Sequence, residues 1–286
     1  MLGAVLGDMV GSPYEGARCQ NPKALLLTEG CSYTDDTVLT VAVAQALTNN
    51  SDVAQALRSW TRRHPGRGYG GAFLEWASSE HPRPYQSFSN GGSMRVSPAG
   101  LLAHSLDHAL ALATLTATPT HAHPEGLRGA RAVAAAIYLA RTGESPQAIR
   151  EYVYANLGYD LSQTVQQRAQ TFGFSTLAED TVPDALTAAL EATTFEQALR
   201  YALFIGGDSD TIACMAGGIA EARFGIPAHY VSFLEAHLPA EMLAVLHGLY
   251  AIAGRPCPLP GTATPATQEA SRVVRLSRLL TANFTR

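Results

Sequence analysis

The chain has few charged residues and lacks a dense run of lysine and arginine. Charged residues make up 15% of its 286 residues, hydrophobic residues make up 47%, and the formal net charge is −4. A low charge fraction excludes a highly solvated or disordered chain and predicts a globule with much buried surface. The slightly acidic balance argues against binding to a nucleic-acid backbone, which selects basic surfaces. We therefore do not expect a nucleic-acid partner.

Cysteines are also few, and their spacing excludes two common kinds of site. The four cysteines share neither a zinc-like spacing nor a disulfide-scaffold pattern. They fit a reducing compartment, so we expect a cytoplasmic protein. The apolar N-terminus lacks the basic segment of a signal peptide, and no apolar run reaches membrane-spanning length without a glycine or polar interruption. We therefore expect no contact with a membrane.

Alternating strand patterns are nearly absent, whereas helix signals recur along the chain. The only short strand candidate is residues 24–27, ALLL. Capping residues before apolar segments indicate helix starts at Asp52, Ser97 and Ser145, and Thr194 with Gln197 resembles a capping box.

Several of the helical segments are apolar on nearly every face, for example TVLTVAVAQAL and ARAVAAAIYLA. Such a composition is typical of helices buried inside a larger bundle. The sequence predicts an all-α protein of about ten or more helices packed together. We expect one domain over residues 1–286, with a Pro-rich connection at 254–265 and a final helix at about 267–282.

Two adjacent aspartates, Asp35 and Asp36, stand at the start of an apolar segment in YTDDTVLT. Like charges repel, and a buried carboxylate is costly unless a cation compensates it. A helix start explains the pair in isolation, because Thr34 would cap the helix and acidic residues favour the first turn.

A second acidic pair repeats this chemistry in GGDSDT, where Asp208, Asp210 and Thr211 lead into another apolar helix. If the two helix starts meet, four carboxylates share one pocket with few cations nearby. Two divalent ions would neutralise them, and carboxylate and hydroxyl oxygens suit Mg²⁺, Mn²⁺ or Ca²⁺ better than Zn²⁺. Spacing alone leaves open whether the two starts touch.

Five motifs in this chain resemble those of the ADP-ribosylglycohydrolase family, which includes the dinitrogenase reductase-activating glycohydrolase. They are GAVLGDMVGSPYEG (3–16), YTDDTVLT (33–40), NGGSMRVSP (90–98), THAHPEG (120–126) and IGGDSDTIACMAGGIA (205–220). The resemblance implies an all-α domain, a single compact orthogonal helical bundle, with a dinuclear Mg²⁺ or Mn²⁺ centre that cuts ADP-ribose from modified side chains at the anomeric carbon. The metal ligands that it implies are Thr34, Asp35, Asp36, Asp208, Asp210 and Thr211.

The same resemblance assigns further roles. With Asp35 and Asp36, it makes Glu15 a catalytic residue, as a general acid/base or as a gate to the metals; without the resemblance, Glu15 reads as a solvated loop residue. It places His121 near the ribose or phosphates of ADP-ribose, and a simple loop histidine is the alternative. For Asp8 we expect a structural role in which it accepts hydrogen bonds from loop amides.

The NGGSMR motif is the predicted substrate-binding loop. Backbone amides of its first four residues can approach phosphate oxygens closely, because glycine has no Cβ; an ordinary turn is the alternative. These residues are Asn90, Gly91, Gly92 and Ser93. Arg95 would either face the pyrophosphate or serve the core, and we expect the structural role.

The sequence thus predicts a monomeric metal-dependent hydrolase that releases ADP-ribose from modified protein side chains. Arginine is the favoured acceptor and serine the second, because Tyr14 and Glu15 resemble the serine-cleaving branch. The alternatives are a catalytically silent relative that binds ADP-ribose or is structural, a hydrolase of another ADP-ribose conjugate, and a two-metal phosphohydrolase of another fold.

Overall fold

The computed structural model describes residues 1–21, 25–171 and 173–259. In these residues the chain forms fifteen α-helices and a 3₁₀ turn at Ser12–Tyr14, and it contains no β-strand beyond three isolated bridges between loops. The all-α prediction is confirmed, and residues 25–27 of the strand candidate are irregular. The predicted helix at about 267–282, and the Pro-rich connection after residue 259, lie outside the described residues.

The helices, in chain order, are α1 (Leu2–Gly11), α2 (Asp35–Asn49), α3 (Val53–Arg63), α4 (Gly71–Ser78), α5 (Gly91–Met94), α6 (Ser97–Leu102), α7 (Leu106–Ala117), α8 (Pro124–Arg141), α9 (Pro146–Leu157), α10 (Val165–Gln170), α11 (Ala178–Glu191), α12 (Phe195–Ile205), α13 (Ser209–Phe224), α14 (Ala228–His237) and α15 (Ala240–Ile252).

Most of the predicted helix starts are where the capping residues place them. The Asp52 carboxylate accepts a hydrogen bond from the Gln55 amide at 2.7 Å and begins α3, and Ser145 caps α9. Thr194 caps α12, because its hydroxyl oxygen accepts from the Gln197 amide at 3.1 Å. The Gln197 side chain accepts from Thr193, so only half of the predicted capping box forms. One start differs: Ser97 lies inside α6, one residue after its N-cap.

Helices α1 and α13 cross at the centre of the molecule, and glycine makes their contact possible. Every residue of α1 is buried, and so are the first twelve residues of α13. A Cβ added to Gly7 would lie 1.9 Å from the Ala213 carbonyl oxygen, and one added to Gly3 would lie 2.3 Å from the Gly217 carbonyl oxygen. The two backbones therefore touch, which only residues without a Cβ permit. The crossing brings the C-terminal end of α1 against the N-terminal end of α13.

The remaining helices surround this pair. Helix α13 also packs against α8, α11 and α12, and α2 packs against α1, α3, α6 and α15. One continuous set of buried apolar side chains extends from Met1 to Leu259. Within the described part of the chain, no helix has both the length and the apolar character needed to cross a membrane.

Candidate metal centre and substrate cavity

The start of α2 forms the first half of the site. Thr34 is the N-cap, and its hydroxyl oxygen accepts a hydrogen bond from the Asp36 amide at 3.3 Å. The Asp8 carboxylate of α1 binds this helix start through four hydrogen bonds. It accepts from the Thr34 amide at 2.9 Å, from the Thr34 hydroxyl at 2.6 Å, and from the amide and hydroxyl of Thr37. Asp8 therefore has the predicted structural role, and it holds α2 against α1.

The turn between α12 and α13 forms the second half. Gly206 and Gly207 have φ values of +78° and +96°, a backbone region that side chains with a Cβ rarely adopt. This turn places Asp208 at the N-cap of α13 and Asp210 in its first turn. The Asn90 side-chain amide donates a hydrogen bond of 2.7 Å to the Asp208 carboxylate. Asn90, predicted to bind substrate, thus also orients one of the predicted metal ligands.

The structure brings the two helix starts together. The Thr211 hydroxyl donates to the Asp36 carboxylate at 3.2 Å, across a sequence separation of 175 residues. Carboxylate oxygens of Asp8, Asp36 and Asp210 lie within 4.8 Å of one another, and so do those of Glu15, Asp208 and Asp210. The sequence had left this meeting open. Helix α1 produces it, because it packs against both α2 and α13.

Burial and mutual repulsion raise the pKa values of these acids. Burial, and then the negative charge of Asp8, raise the pKa of Asp35 to about 7. Burial, and then the charge of Asp208, raise the pKa of Asp210 to about 9, and burial followed by the charge of Asp210 raises that of Asp36 well above its ordinary value. Among the described residues, none of these carboxylates forms an ion pair with a lysine or arginine. Within the described part of the chain, no cationic side chain balances the charge of the cluster.

The donor set fits hard divalent cations. All of its atoms are carboxylate and hydroxyl oxygens, the ligands that Mg²⁺ and Mn²⁺ prefer. The two carboxylate groups share Asp210, so their oxygens form one continuous acidic cluster that could hold a cation. One buried oxygen of Asp36, Oδ1, has no hydrogen-bond partner among the described residues. A buried polar atom without a partner is costly, and a cation at the cluster would satisfy it.

Glu15 reaches the cluster from a loop that pairs with the glycine turn. The Gly16 amide donates to the Gly207 carbonyl at 2.8 Å, and the Gly207 amide donates to the Ala17 carbonyl at 3.0 Å. Because of this pairing, a carboxylate oxygen of the exposed Glu15 lies within 4.8 Å of carboxylate oxygens of Asp208 and Asp210. Glu15 is therefore the member of the cluster in contact with solvent.

A cavity of about 300 Å³ opens over the cluster. Its lining includes Asn90, Gly91 and His121 of the predicted substrate-binding residues, together with all six predicted metal ligands and Glu15. Residues Gly91–Met94 form the short helix α5 and not the predicted loop, and Gly92 and Ser93 are not among the lining residues. The Ser93 side chain is fully buried and its Oγ lies 2.5 Å from the position a Cβ would take on Gly129, so it faces α8 and not the cavity. A cleft of about 560 Å³ beside α10 and α12 is larger, but it contains no acidic cluster.

Sequence reasoning missed several residues of the cavity. Ser87, Ser89, Tyr85, Phe174 and Thr176 line it, and none belongs to a recognisable motif. The polar SFS sequence before Asn90 was an available signal for the two serines. For the other three residues the sequence offers none, because loop packing alone brings them to the cavity.

Comparison with known proteins agrees with this architecture. The family model of the ADP-ribosylglycohydrolases matches residues 1–259. The chain is 27% identical to ADP-ribosylhydrolase ARH3 of Bos taurus, over 85% of this chain and 90% of that protein. It is 25% identical to the ADP-ribosyl-[dinitrogen reductase] glycohydrolase of Rhodospirillum rubrum, over 77% of this chain and 80% of that protein.

A solved structure described as an ADP-ribosylglycohydrolase-related protein complex has the same fold. It superposes with a TM-score of 0.61 at 24% identity, and the match covers 88% of this chain and 92% of that one. The family match extends over most of the chain and includes both acidic helix starts and the loops between them. The protein belongs to the ADP-ribosylglycohydrolase family.

Proposed function

We propose that this protein is a metal-dependent hydrolase that releases ADP-ribose from modified protein side chains. The observation that carries the proposal is the meeting of two acidic helix starts, through Asp36, Thr211 and Asp210, beneath a cavity of about 300 Å³. Family membership and the names of the relatives support ADP-ribose conjugates as the substrate class.

Six side chains would hold two Mg²⁺ or Mn²⁺ ions in this proposal: Thr34, Asp35, Asp36, Asp208, Asp210 and Thr211. Asp36 and Asp208 belong to different carboxylate groups that overlap at Asp210, which supports one cation on each side of Asp210. When bound, the ions supply Lewis acidity and neutralise most of the carboxylate charge. The hydrogen bonds from Asn90 and Thr211 orient the ligands in advance.

The protein side chains contribute acid–base and electrostatic functions. Cleavage at the anomeric carbon passes through a transition state with oxocarbenium character, which nearby carboxylates stabilise. Glu15 is exposed at the rim, so it can exchange protons with solvent while it faces Asp208 and Asp210. We assign it the role of general acid/base, with Asp35 and Asp36 as the further catalytic carboxylates. Asn90, Gly91 and His121 would contact the ADP-ribose moiety.

The charge of the site supports arginine as the first acceptor to test. Five aspartates and Glu15 surround the cavity floor, and two divalent ions would leave a residual negative charge when these acids are ionised. A negative site favours a cationic side chain, such as the guanidinium group of arginine, over a neutral one. Serine is the second candidate, because Tyr14 and Glu15 resemble the serine-cleaving branch of the family.

The proposal is tested by incubating the protein with ADP-ribosyl-arginine and ADP-ribosyl-serine peptides in Mg²⁺, Mn²⁺ or EDTA and measuring free ADP-ribose. We expect metal-dependent release from the arginine peptide. Release from the serine peptide alone would reassign the acceptor. Binding of ADP-ribose without release from either peptide would indicate a silent relative, and release of AMP or phosphate would indicate a phosphohydrolase.

A further inference from the structure

A series of buried hydrogen bonds extends from Arg95 to the cavity wall. Arg95 Nη2 donates to the Thr120 hydroxyl at 2.7 Å, and the same hydroxyl lies 2.7 Å from His121 Nδ1. His121 Nε2 in turn lies 3.0 Å from the Ser89 hydroxyl, which is 2.9 Å from that of Ser87. Arg95, Thr120 and His121 are buried, and Arg95, His121, Ser89 and Ser87 line the cavity. The series therefore links the charge of Arg95, through Thr120 and His121, to two serine hydroxyls of the cavity wall.

The Thr120 hydroxyl decides the direction of these bonds. Arg95 has no acceptor atom and can only donate, so the Thr120 oxygen accepts from it. The hydroxyl proton of Thr120 then needs an acceptor, because a buried donor without one is costly. Among the described residues, its only other partner is His121 Nδ1. Thr120 therefore donates to Nδ1, and Nδ1 carries no proton.

The imidazole is neutral, and its proton must then be on Nε2. Burial, and then the positive charge of Arg95, hold the pKa of His121 well below its ordinary value. A neutral imidazole carries one proton, so Nε2–H donates to the Ser89 oxygen. Arg95 itself donates only to the Thr116 carbonyl and to Thr120, and its Nε and Nη1 atoms have no partner within the described chain.

The direction of these hydrogen bonds determines which proton faces the cavity. Because the Ser89 oxygen accepts from Nε2, its own proton points either to Ser87 or to an acceptor atom of a bound molecule. The imidazole edge packs against the start of α5: a Cβ on Gly91 would lie 2.9 Å from Nε2. Glycine at this position therefore makes room for the histidine ring as well as for any ligand. The Ser89 hydroxyl, held beside the His121 ring, is the donor of this wall, and it is suited to anionic or carbonyl-type oxygens.

We infer that Arg95 and Thr120 are positioning residues that hold His121 in its neutral form with the proton on Nε2, so that the Ser89 hydroxyl donates to an acceptor oxygen of the substrate. The part that concerns the substrate rests on the proposed function. The part that concerns the histidine tautomer is independent of it.

The tautomer is read directly by NMR. Long-range proton–nitrogen correlation spectra of protein with isotopically labelled histidine distinguish the two neutral forms, and a His121→Gln variant assigns the signal. We expect wild-type His121 to carry its proton on Nε2 alone at neutral pH. Thr120→Val should populate the other neutral form, and Thr120→Ser should restore the wild-type pattern. A wild-type ring that is doubly protonated, or protonated on Nδ1, would overturn the inference without any variant.

Binding of ADP-ribose tests the substrate part by calorimetry. We expect Thr120→Val to weaken binding by about fivefold to tenfold, the effect of one misdirected hydrogen bond, and Thr120→Ser to bind as the wild type does. Thr116→Val is the matched control: Thr116 is equally buried, and its hydroxyl bonds only to the Ala113 carbonyl of its own helix.

Equal affinity in Thr120→Val and the wild type would overturn the substrate part. If the wild type does not bind ADP-ribose at all, the proposed function fails, and the NMR spectra still decide the tautomer of His121. If Thr116→Val changes the His121 signal as much as Thr120→Val does, general repacking explains both effects and the positioning role is refuted.

Discussion

Asp36→Asn should stabilise the protein without metal and abolish its stabilisation by metal. The substitution preserves the shape of the side chain, and an asparagine oxygen can still accept the Thr211 hydrogen bond. It removes one charge from a group whose oxygens lie within 4.8 Å of one another. Two full charges at such a separation repel by roughly 3 kcal/mol at an effective dielectric constant of about 20. Partial protonation of the buried acids reduces this gain to about 1–2 kcal/mol at neutral pH.

The response to metal gives the larger difference. A ligand present at about 100 times its Kd stabilises the folded state by about 2.7 kcal/mol. For a protein of this size that corresponds to an increase of about 5–10 °C in Tm. The assay is a thermal melt in EDTA and in saturating Mn²⁺. We expect the wild-type Tm to rise with Mn²⁺, and the Asp36→Asn Tm to be a few degrees above wild type in EDTA and nearly unchanged by Mn²⁺.

Asp52→Asn is the matched control for this experiment. Asp52 caps α3 on the surface, away from the cluster, and asparagine caps a helix about as well as aspartate. Its Tm should follow the wild type in both conditions. Two results would refute the reasoning: an Asp36→Asn protein that melts below the wild type in EDTA, or one that retains the full response to Mn²⁺.

Three further predictions concern the same centre. The folded-state pKa of Asp210 is raised to about 9 from an ordinary value of 3.8, so folding without metal takes up a proton. The Tm in EDTA should therefore fall as pH rises from 5 to 9, and saturating Mg²⁺ should remove most of the fall. A Tm in EDTA that rises over this range would contradict the raised pKa. Gly7→Ala should lower the Tm, because overpacking against the Ala213 carbonyl costs about 1–3 kcal/mol or more and the gain in helix propensity is at most about 1 kcal/mol. Gly71→Ala is the control, because no atom lies within 4 Å of the added Cβ, and it should not lower the Tm. Glu15→Gln should leave the Tm unchanged, because the side chain is exposed, and reduce the rate of ADP-ribose release by about 100-fold or more; wild-type activity in this variant would exclude Glu15 as the acid/base.

Local signals were sufficient for the helices and for the two halves of the site. Asp52 and Ser145 cap helices as predicted, because a capping side chain bonds to an amide only two or three residues away. Thr34 caps α2 for the same reason, and the glycine turn before Asp208 is a matter of backbone sterics. Where the predictions differ by a residue, as at Ser97, the physical signal is present but the exact start depends on neighbouring packing.

The glycines of α1 contained a signal that sequence reasoning did not use. Gly3, Gly7 and Gly11 recur every four residues, so they share one face of the helix. Added Cβ atoms on all three would clash with the α13 backbone. That spacing could have predicted a close helix crossing, but not which helix is the partner.

The sequence by itself determined the all-α class, the helix starts and the acidic character of the two motifs, because each depends on residues that are neighbours in the chain. The tertiary structure alone decided that Asp36 meets Thr211 across 175 residues, that Asp8 supports Thr34 and that Ser93 faces α8 instead of the cavity. These contacts depend on which helices pack together, α1 against both α2 and α13 and α5 against α8. The glycines of α1 indicate that a close helix contact exists, but no pattern within one helix identifies its partner.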